Sequence, residues 1–456
     1  MSTLFIRNAT VVTADTHFVG DVLCENEKII STGLALEAPA DAEILDATGK
    51  FLFPGFIDPH THIYLPFMGT YAKDDYTSAT TAAVAGGTTT FFEMCCPSKA
   101  ETATEGFATW QAKAAGKALC DYSFHMGVTR FDADAPAQLR AIVKAGIKSF
   151  KIFLAYKGAF GITDDELFAA LTLAKELGVV TTAHCENETV ISELQRRLLA
   201  EGKTGPEWHY ESRPPRVEAE GVHHLMSFAE TTGAPVYIVH LSCREALEEA
   251  IQARLRGVNV RIETLIQYLL LDKTDAERPD FEGAKYVMSP PLREKANQSI
   301  LWNGLRQGLI DTLGTDHAPF DFASQKPMGR KDFTKIPNGI PALEDRVKLL
   351  WTHGVRTGRI DLQTFVAIAS TNAAKIFGLF PRKGTIAPGS DADLVIWDPE
   401  ATTTLGVSTQ HQNVDYHAFE GWELQGLPSY VTVRGRVVVR EGKVVGEPGW
   451  GRMLER

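Results

Sequence analysis

The sequence predicts an α/β protein in which a (β/α)8 TIM barrel is joined to a small β-sandwich domain built from both chain ends. Three observations lead to this fold class. Eight short apolar runs alternate with helix-like stretches through the middle of the chain, as they do in a parallel barrel. Both ends carry short alternating runs separated by Gly or Asn turns, which is typical of antiparallel strands. The 456 residues suffice for one barrel and one smaller domain.

The predicted barrel strands are separated by segments that read as helices. Residues 164–178 and 243–257 carry apolar side chains near i, i+3 and i+4, and each segment ends in glycine. An open doubly wound sheet is the alternative, but no Gly-rich phosphate-binding fingerprint follows any strand. The predicted strands are 51–57, 87–94, 121–128, 149–155, 178–186, 234–242, 259–265 and 311–317.

The two chain ends are predicted to form one domain together. Neither end has enough apolar residues for a core of its own, so we expect residues 1–50 and 385–456 to pair as the β-sandwich. Residues 51–384 then form the catalytic barrel.

Composition narrows the possible partners and locations. A formal net charge of −11 argues against a nucleic acid or an anionic membrane as the main partner. No apolar run approaches transmembrane length, and the first residues lack the pattern of a secretory signal. The six cysteines show no framework spacing and two are adjacent, which favours reduced thiols in the cytoplasm. We therefore expect a cytoplasmic protein acting on a small molecule.

Metal-ligand residue types occur at the carboxyl ends of five predicted barrel strands, the end where barrel chemistry takes place. Each residue alone has an ordinary explanation, such as a hydrogen-bonded histidine or a helix N-cap aspartate. Five strands placing such residues at one end favour a common site instead, and imidazole with carboxylate suits Zn²⁺. The candidates are His60 and His62 on strand one, Lys151 on strand four, His184 on strand five, His240 on strand six and Asp316 on strand eight.

Lys151 is the least expected of these residues. It lies within the apolar run SFKIFLA, and a buried ammonium is costly unless it is paired or chemically changed. Among the other histidines, His125 is predicted to lie in the core and His317 beside the site. The histidines of helices and loops are predicted to be solvated; these are His209, His223, His224, His353, His411 and His417.

Several motifs together resemble those of the amidohydrolase superfamily, and more narrowly of its hydantoinase/dihydropyrimidinase family of cyclic amidases. They include GFIDPHTHI, SFKIFLAYKG, AHCEN, VHLSC, YVMSPPLREK and GTDHAPFDF, and the similarity extends over nearly the whole chain. The resemblance implies a homotetrameric hydrolase that opens cyclic amides to N-carbamoyl amino acids. It also implies that Lys151 is carboxylated by CO2 and, with a hydroxide, bridges two zinc ions. His60, His62 and Asp316 would hold one ion, and His184 and His240 the other.

The same resemblance implies roles around the metals. Asp316 would take a proton from the hydroxide and deliver it to the departing amide nitrogen. Tyr156 would donate a hydrogen bond to the developing oxyanion. Backbone groups of Ser289 and Asn338 would bind the edge of the cyclic imide. An apolar pocket for the ring substituent would be formed by Leu65, Phe153 and Phe160.

Two alternatives remain open. Dihydroorotases and allantoinases are related enzymes, but dihydroorotase-like chains usually place an arginine just after His-x-His, where residues 63–67 here are the apolar IYLPF. Non-catalytic dihydropyrimidinase-related scaffold proteins have lost metal ligands, whereas this chain keeps all six candidates. The physiological substrate and the preferred enantiomer are also open, although the resemblance favours the D form.

Overall fold

A computed structural model describes residues 3–456 and confirms the predicted fold class. The strands in these residues are β1 (Thr3–Val12), β2 (His17–Glu25), β3 (Lys28–Gly33), β4 (Glu43–Asp46), β5 (Phe51–Pro54), β6 (Phe56–Thr61), β7 (Pro66–Phe67), β8 (Thr70–Tyr71), β9 (Thr88–Cys95), β10 (Asp121–Gly127), β11 (Ser149–Phe153), β12 (Val180–His184), β13 (Val236–Ile238), β14 (Val260–Leu265), β15 (Thr312–Gly314), β16 (Leu394–Thr404), β17 (Glu423–Val433), β18 (Arg436–Arg440) and β19 (Lys443–Val444).

The helices begin and end where the sequence signals indicate. The hydroxyl of Thr163 caps the helix that follows it, Glu166 completes the capping box, and Gly178 ends that helix with a φ of 66°. The α-helices are α1 (Tyr76–Ala85), α2 (Ala103–Ala114), α3 (Ala135–Lys144), α4 (Asp164–Leu177), α5 (Glu188–Ala200), α6 (Trp208–Glu211), α7 (Pro215–Thr232), α8 (Arg244–Leu255), α9 (Ile266–Leu270), α10 (Lys273–Ala276), α11 (Ala296–Arg306), α12 (Arg346–Leu350), α13 (Leu362–Val366) and α14 (Asn372–Ile376).

Eight parallel strands form the barrel in the order β6, β9, β10, β11, β12, β13, β14, β15. The first and last strands of this order, β6 and β15, meet and close the barrel. There the amide of His62 donates to the carbonyl of His317 over 2.8 Å, next to a parallel bridge between Thr61 and His317. The strand order follows the chain order, as right-handed βα units require. All eight carboxyl ends therefore face one mouth.

The first predicted barrel strand divides at Gly55. Residues 51–54 form β5, which pairs with β1 and β16 in the small domain, and only residues 56–61 form the barrel strand β6. A Cβ at Gly55 would lie 2.0 Å from the hydroxyl oxygen of Thr89, so glycine permits this close passage from one sheet to the other. The small sheet thus includes residues that the sequence assigned to the barrel.

The predicted β domain from both chain ends is confirmed. Its path runs β19-β18-β17-β16-β5-β1-β2-β3, and β4 also pairs with β1. Most pairings are antiparallel as expected, but β1 pairs in parallel with β4 and β5. No helix within residues 3–456 is long and apolar enough to cross a membrane.

Candidate active site

The first part of the site joins the two ends of the barrel sheet. Nε2 of His60 and Nε2 of His62 lie 3.0 and 3.1 Å from the same carboxylate oxygen of Asp316. The two imidazole nitrogens are 3.3 Å apart. The i, i+2 spacing on one strand brings both rings to the same side, as the sequence predicted. Burial acts to raise the pKa of Asp316, but His60 and His62 outweigh it and hold that pKa well below the usual range.

The second part of the site comes from the opposite side of the barrel. Nδ1 of His184 lies 2.9 Å from Nε2 of His240. The other ring nitrogen of His184 contacts Glu186 over 2.7 Å, and Arg213 pairs with the same carboxylate. Glu186 therefore determines which nitrogen of His184 faces the centre of the mouth.

One carboxylate connects the two parts. Oε1 of Glu263, on β14, lies 2.9 Å from Nδ1 of His60 and accepts the backbone amide of His240 over 3.0 Å. Its second oxygen accepts the Tyr237 hydroxyl over 2.8 Å. Glu263 is fully buried, so these contacts replace its lost hydration. It sets the ring orientation of His60 and the position of His240 together.

Lys151 lines the same cavity as the two parts and has no partner in the described chain. Its side chain is fully buried, and Nζ has no hydrogen-bond partner among the described residues. The ring of Phe153 has its centroid 4.8 Å from Nζ. Burial lowers the pKa of Lys151. An ammonium in this position would lack water and a directly paired carboxylate, although the charge of Asp316 acts on it and partly offsets the effect of burial.

Three residues at the mouth have left-handed backbone conformations. The φ angles are 61° at Tyr156, 43° at His240 and 49° at Asp316. Side chains other than glycine rarely adopt these angles, and such strain concentrates at functional sites. In each case the turn directs the residue just beyond a barrel strand into the mouth.

The donor set fits metal ions. Ligands at about 2.0–2.1 Å from a tetrahedral ion lie about 3.3 Å from one another, close to the separations among His60, His62 and Asp316. Possible ligand atoms of these three residues all lie within 4.8 Å of one another. His184 and His240 offer a second pair of nitrogens, and the unpaired Lys151 lies beside both groups. The sequence-predicted ligands are thus brought together in one place.

A cavity opens over these residues. His60 lies behind the cavity wall, and every other sequence-predicted site residue lines it. Phe67, Ala318 and Gly339 also line it and were not predicted. The lining residues from the prediction are His62, Leu65, Lys151, Phe153, Tyr156, Phe160, His184, His240, Ser289, Asp316 and Asn338.

One side of the cavity is polar. The Asn338 amide nitrogen donates to the Ser289 hydroxyl over 2.9 Å and lies 3.5 Å from the Tyr156 hydroxyl. The hydrogen bonds of Ser289 and Asn338 within residues 3–456 involve their side chains, and their own backbone N–H and C=O groups have no partner there. Those backbone groups remain available to a ligand.

The opposite side is aromatic. The Phe67 and Phe160 rings stack with centroids 5.9 Å apart, and Phe153 lies 5.4 Å from Phe160. Phe67 also contacts the Tyr156 ring edge-on at 5.4 Å. Lys151 is the one lysine or arginine among the lining residues, so this wall presents no cation to a substituent.

Two predictions about the remaining histidines are wrong. His209 and His417 were expected to be solvated, but their exposed fractions are 3% and 4%. Nε2 of His209 lies 2.9 Å from the Met288 carbonyl oxygen. A single histidine in a short helix such as α6, or in a loop, carries no sequence signal for such burial. His125, by contrast, lies in the core as predicted.

Comparisons with known proteins agree with this geometry. The sequence profile of the amidohydrolase family matches residues 51–438. A curated D-hydantoinase of Geobacillus stearothermophilus is 48% identical over 100% of this chain and 96% of its own length. The dihydropyrimidinase of Rattus norvegicus is 41% identical over 99% of this chain and 88% of its own.

A solved structure extends the likeness to three dimensions. The D-hydantoinase (dihydropyrimidinase) from Thermus sp. is 58% identical, covers 99% of both chains and superposes with a TM-score of 0.98. The match spans the barrel, the small sheet and the loops that carry the cavity. The chain therefore belongs to the amidohydrolase family, in its hydantoinase/dihydropyrimidinase branch, and is a cyclic amidohydrolase.

Proposed function

We propose that this enzyme opens 5-monosubstituted hydantoins and 5,6-dihydropyrimidines to N-carbamoyl amino acids at a binuclear zinc centre. The observation that supports this most strongly is the position of Lys151. It is buried and unpaired, and it lines the same cavity as His62, Asp316, His184 and His240. In this proposal the reactive carbonyl lies beside these residues and the ring edge faces Ser289 and Asn338.

Carboxylation of Lys151 would resolve its electrostatic problem. A free ammonium about 4 Å from a dication would be repelled by several kcal/mol even at an effective dielectric near 20. Attack of the neutral amine on CO2 forms an N–C bond and releases a proton, leaving an anionic carbamate whose oxygens can bind metal. The amine here is buried, its Nζ has no hydrogen-bond partner, and burial lowers its pKa, which favours the neutral form that reacts.

His60, His62 and Asp316 would hold one zinc ion, and His184 and His240 the other, with carboxylated Lys151 and a hydroxide bridging them. When bound, a pair of zinc ions supplies a water of lowered pKa at neutral pH and polarises the scissile carbonyl. Glu263 and Glu186 hold the rings of His60 and His184 so that the nitrogens on the cavity side are presented.

Asp316 and Tyr156 would carry out the proton transfer and charge stabilisation. Asp316 would accept the proton of the attacking hydroxide and return it to the leaving amide nitrogen, acting first as base and then as acid. The depressed pKa of Asp316, to which His60 and His62 contribute, keeps this carboxylate ionised at neutral pH. Burial raises the pKa of Tyr156, so its hydroxyl keeps the proton that it would donate to the developing oxyanion.

The two walls of the cavity support the proposed substrate class. Free backbone groups of Ser289 and Asn338 match the alternating N–H and C=O groups of a cyclic imide. The wall of Leu65, Phe153 and Phe160 suits alkyl or aryl substituents, because burial of apolar area is favourable and burial of an unpaired carboxylate is costly.

The same wall argues against the related activities. Dihydroorotate carries a ring carboxylate that would require a cation, and the wall offers none. We therefore expect poor turnover of dihydroorotate.

A substrate panel with chiral product analysis tests this proposal. The purified enzyme should open dihydrouracil and 5-alkyl or 5-aryl hydantoins, and we expect D products. Metal analysis should find about two zinc ions per chain, one for each group of ligands. Faster turnover of dihydroorotate than of every hydantoin and dihydropyrimidine would contradict the proposal.

We also propose a homotetramer in the cytoplasm. The six cysteines are buried and unpaired in the described chain, which supports a reducing compartment. Light scattering at several concentrations would measure the oligomeric state.

A further inference from the structure

Lys326 is a second buried lysine near the active site. Its side chain is fully buried, and no carboxylate pairs with it in residues 3–456. Instead Nζ donates to three backbone carbonyls, those of Val287 at 3.3 Å, Pro337 at 2.7 Å and Gly339 at 2.9 Å. An ammonium has three N–H donors and no acceptor, so three carbonyls satisfy it completely.

These carbonyls belong to the two segments that form the polar wall. Val287 lies two residues before Ser289, and Pro337 and Gly339 flank Asn338. The carbonyls of these neighbours are bound by Lys326, while the backbone groups of Ser289 and Asn338 remain free. Lys326 thus joins the two segments from behind without occupying the groups that face the cavity.

Gln325, the residue before Lys326, bonds the hairpin that carries Phe67 of the aromatic side of the cavity. The Gln325 side-chain nitrogen donates to the Thr70 hydroxyl over 2.6 Å and to the Tyr71 carbonyl over 2.8 Å. Thr70 and Tyr71 form β8, which pairs with β7, the strand that carries Phe67. The Gln325 side-chain oxygen Oε1 accepts the backbone amide of Asp321 over 2.7 Å, so both ends of the side-chain amide are bound.

We propose that Gln325 and Lys326 are positioning residues that hold the two substrate walls at a set separation, Lys326 through the imide-binding segments and Gln325 through the β7–β8 hairpin. This inference rests on the proposed function, since it concerns the same cavity. Neither residue lines that cavity, so both act through their neighbours. Burial lowers the pKa of Lys326 to about 7, and the three carbonyls favour its charged form.

Substitutions of Lys326 and of Gln325 should change substrate binding in different ways. Every substrate of the proposed class shares the imide edge, so loosening the Lys326 segments should weaken all substrates by a similar factor. Substituents differ only at the aromatic wall, so loosening the hairpin should change the ranking of substituents instead. A general loss of stability would produce neither pattern.

The test compares Lys326→Met and Gln325→Leu with Lys383→Met in the zinc-loaded enzyme. Lys383 is equally buried but bonds carboxylates at the far end of the barrel, so it is a matched control. Lys326→Met should raise KM about tenfold or more for dihydrouracil and for small and bulky hydantoins alike, with a smaller change in kcat and unchanged zinc content. Gln325→Leu should change the ratio of kcat/KM between bulky and small substituents while KM for dihydrouracil stays within about twofold.

Hydrogen–deuterium exchange supplies a readout that does not depend on turnover. Lys326→Met should speed exchange in the segments around 287–289 and 337–339, and Lys383→Met should not. The proposal would be overturned if a folded Lys326→Met enzyme had the KM and the exchange rates of the wild type. It would also be overturned if Lys383→Met raised KM as much as Lys326→Met does. If Lys326→Met does not fold, the ratio of kcat/KM between bulky and small substituents in Gln325→Leu decides whether the proposal stands. Gln325 is only half-buried, so this variant is expected to fold. If the wild-type enzyme opens none of the substrates, the proposed function fails and the exchange data still decide the role of Lys326.

Discussion

The barrel holds a buried lysine at each end, and the surroundings of the two are opposite. At the base, Nζ of Lys383 lies 2.7, 3.1 and 2.5 Å from carboxylate oxygens of Asp121, Asp391 and Asp393. At the mouth, Nζ of Lys151 has no partner in the described chain. The difference indicates different roles for the two lysines. The carboxylates around Lys383 neutralise its charge, as expected for a lysine that stabilises the fold, whereas Lys151 lacks such partners, as expected for a lysine with a chemical role.

The contrast extends to the residues that surround each lysine. The base joins the barrel to the small domain, since Asp391 and Asp393 precede β16 and Asp121 begins β10. The mouth instead gathers histidines and Asp316 around Lys151. We therefore expect changes at the mouth to alter metal binding and catalysis, and changes at the base to alter stability.

The largest effect is expected from Lys151→Ala. Removing the bridging group should abolish the binuclear site and reduce kcat/KM by more than about 10³-fold, because loss of a single oxyanion donor already costs about 10²–10³. Short carboxylic acids added to the mutant should restore part of the metal content and activity. Full zinc content in Lys151→Ala would show that this residue is not a bridge.

Lys383→Met should produce the opposite result. Breaking a buried pair by removing one partner typically costs about 3–5 kcal/mol, so denaturant unfolding should show a loss of that size. Zinc content and KM should equal those of the wild type. A mutant of unchanged stability would remove the contrast between the two ends.

Tyr156→Phe tests the mouth without disturbing the metals. The ring keeps its contacts with Phe67 and His184, and only the hydroxyl is lost. We expect kcat to fall about 10²–10³-fold with the same zinc content. An unchanged kcat would leave Tyr156 as a packing residue of the cavity rim.

The smallest effect is expected at the aromatic wall. Phe160→Ala should shift preference towards bulkier substituents and lower kcat/KM for small ones, with a graded change of about 1–3 kcal/mol. Relative kcat/KM values across a series of 5-alkyl hydantoins would measure it. Equal losses for all substituents would place Phe160 outside the specificity wall.

Much of the fold was predictable because each barrel strand is a separate apolar run, and the ligand candidates follow from their position at strand ends. The division at Gly55 was not predicted, since FLFPGFI was interpreted as one continuous strand, and the break is seen in the pairing of β5 with β1 and β16 while β6 pairs with β9. Glu263 was missed because one glutamate in the strand VRIETL forms no metal-binding or catalytic pattern by itself, and its contacts with His60 and His240 depend on barrel closure. The three carbonyls bound by Lys326 are equally invisible, since backbone acceptors leave no sequence signal.

The central claim is that the lysine without a partner at the mouth is chemically modified. Carbon-13 NMR of the zinc-loaded enzyme prepared with ¹³C-bicarbonate tests it most directly, with Lys151→Arg as the control. We predict a carbamate carbon signal in the wild type that is absent from Lys151→Arg and unchanged in Lys383→Met. A fully active, zinc-loaded wild-type enzyme without that signal would contradict the account.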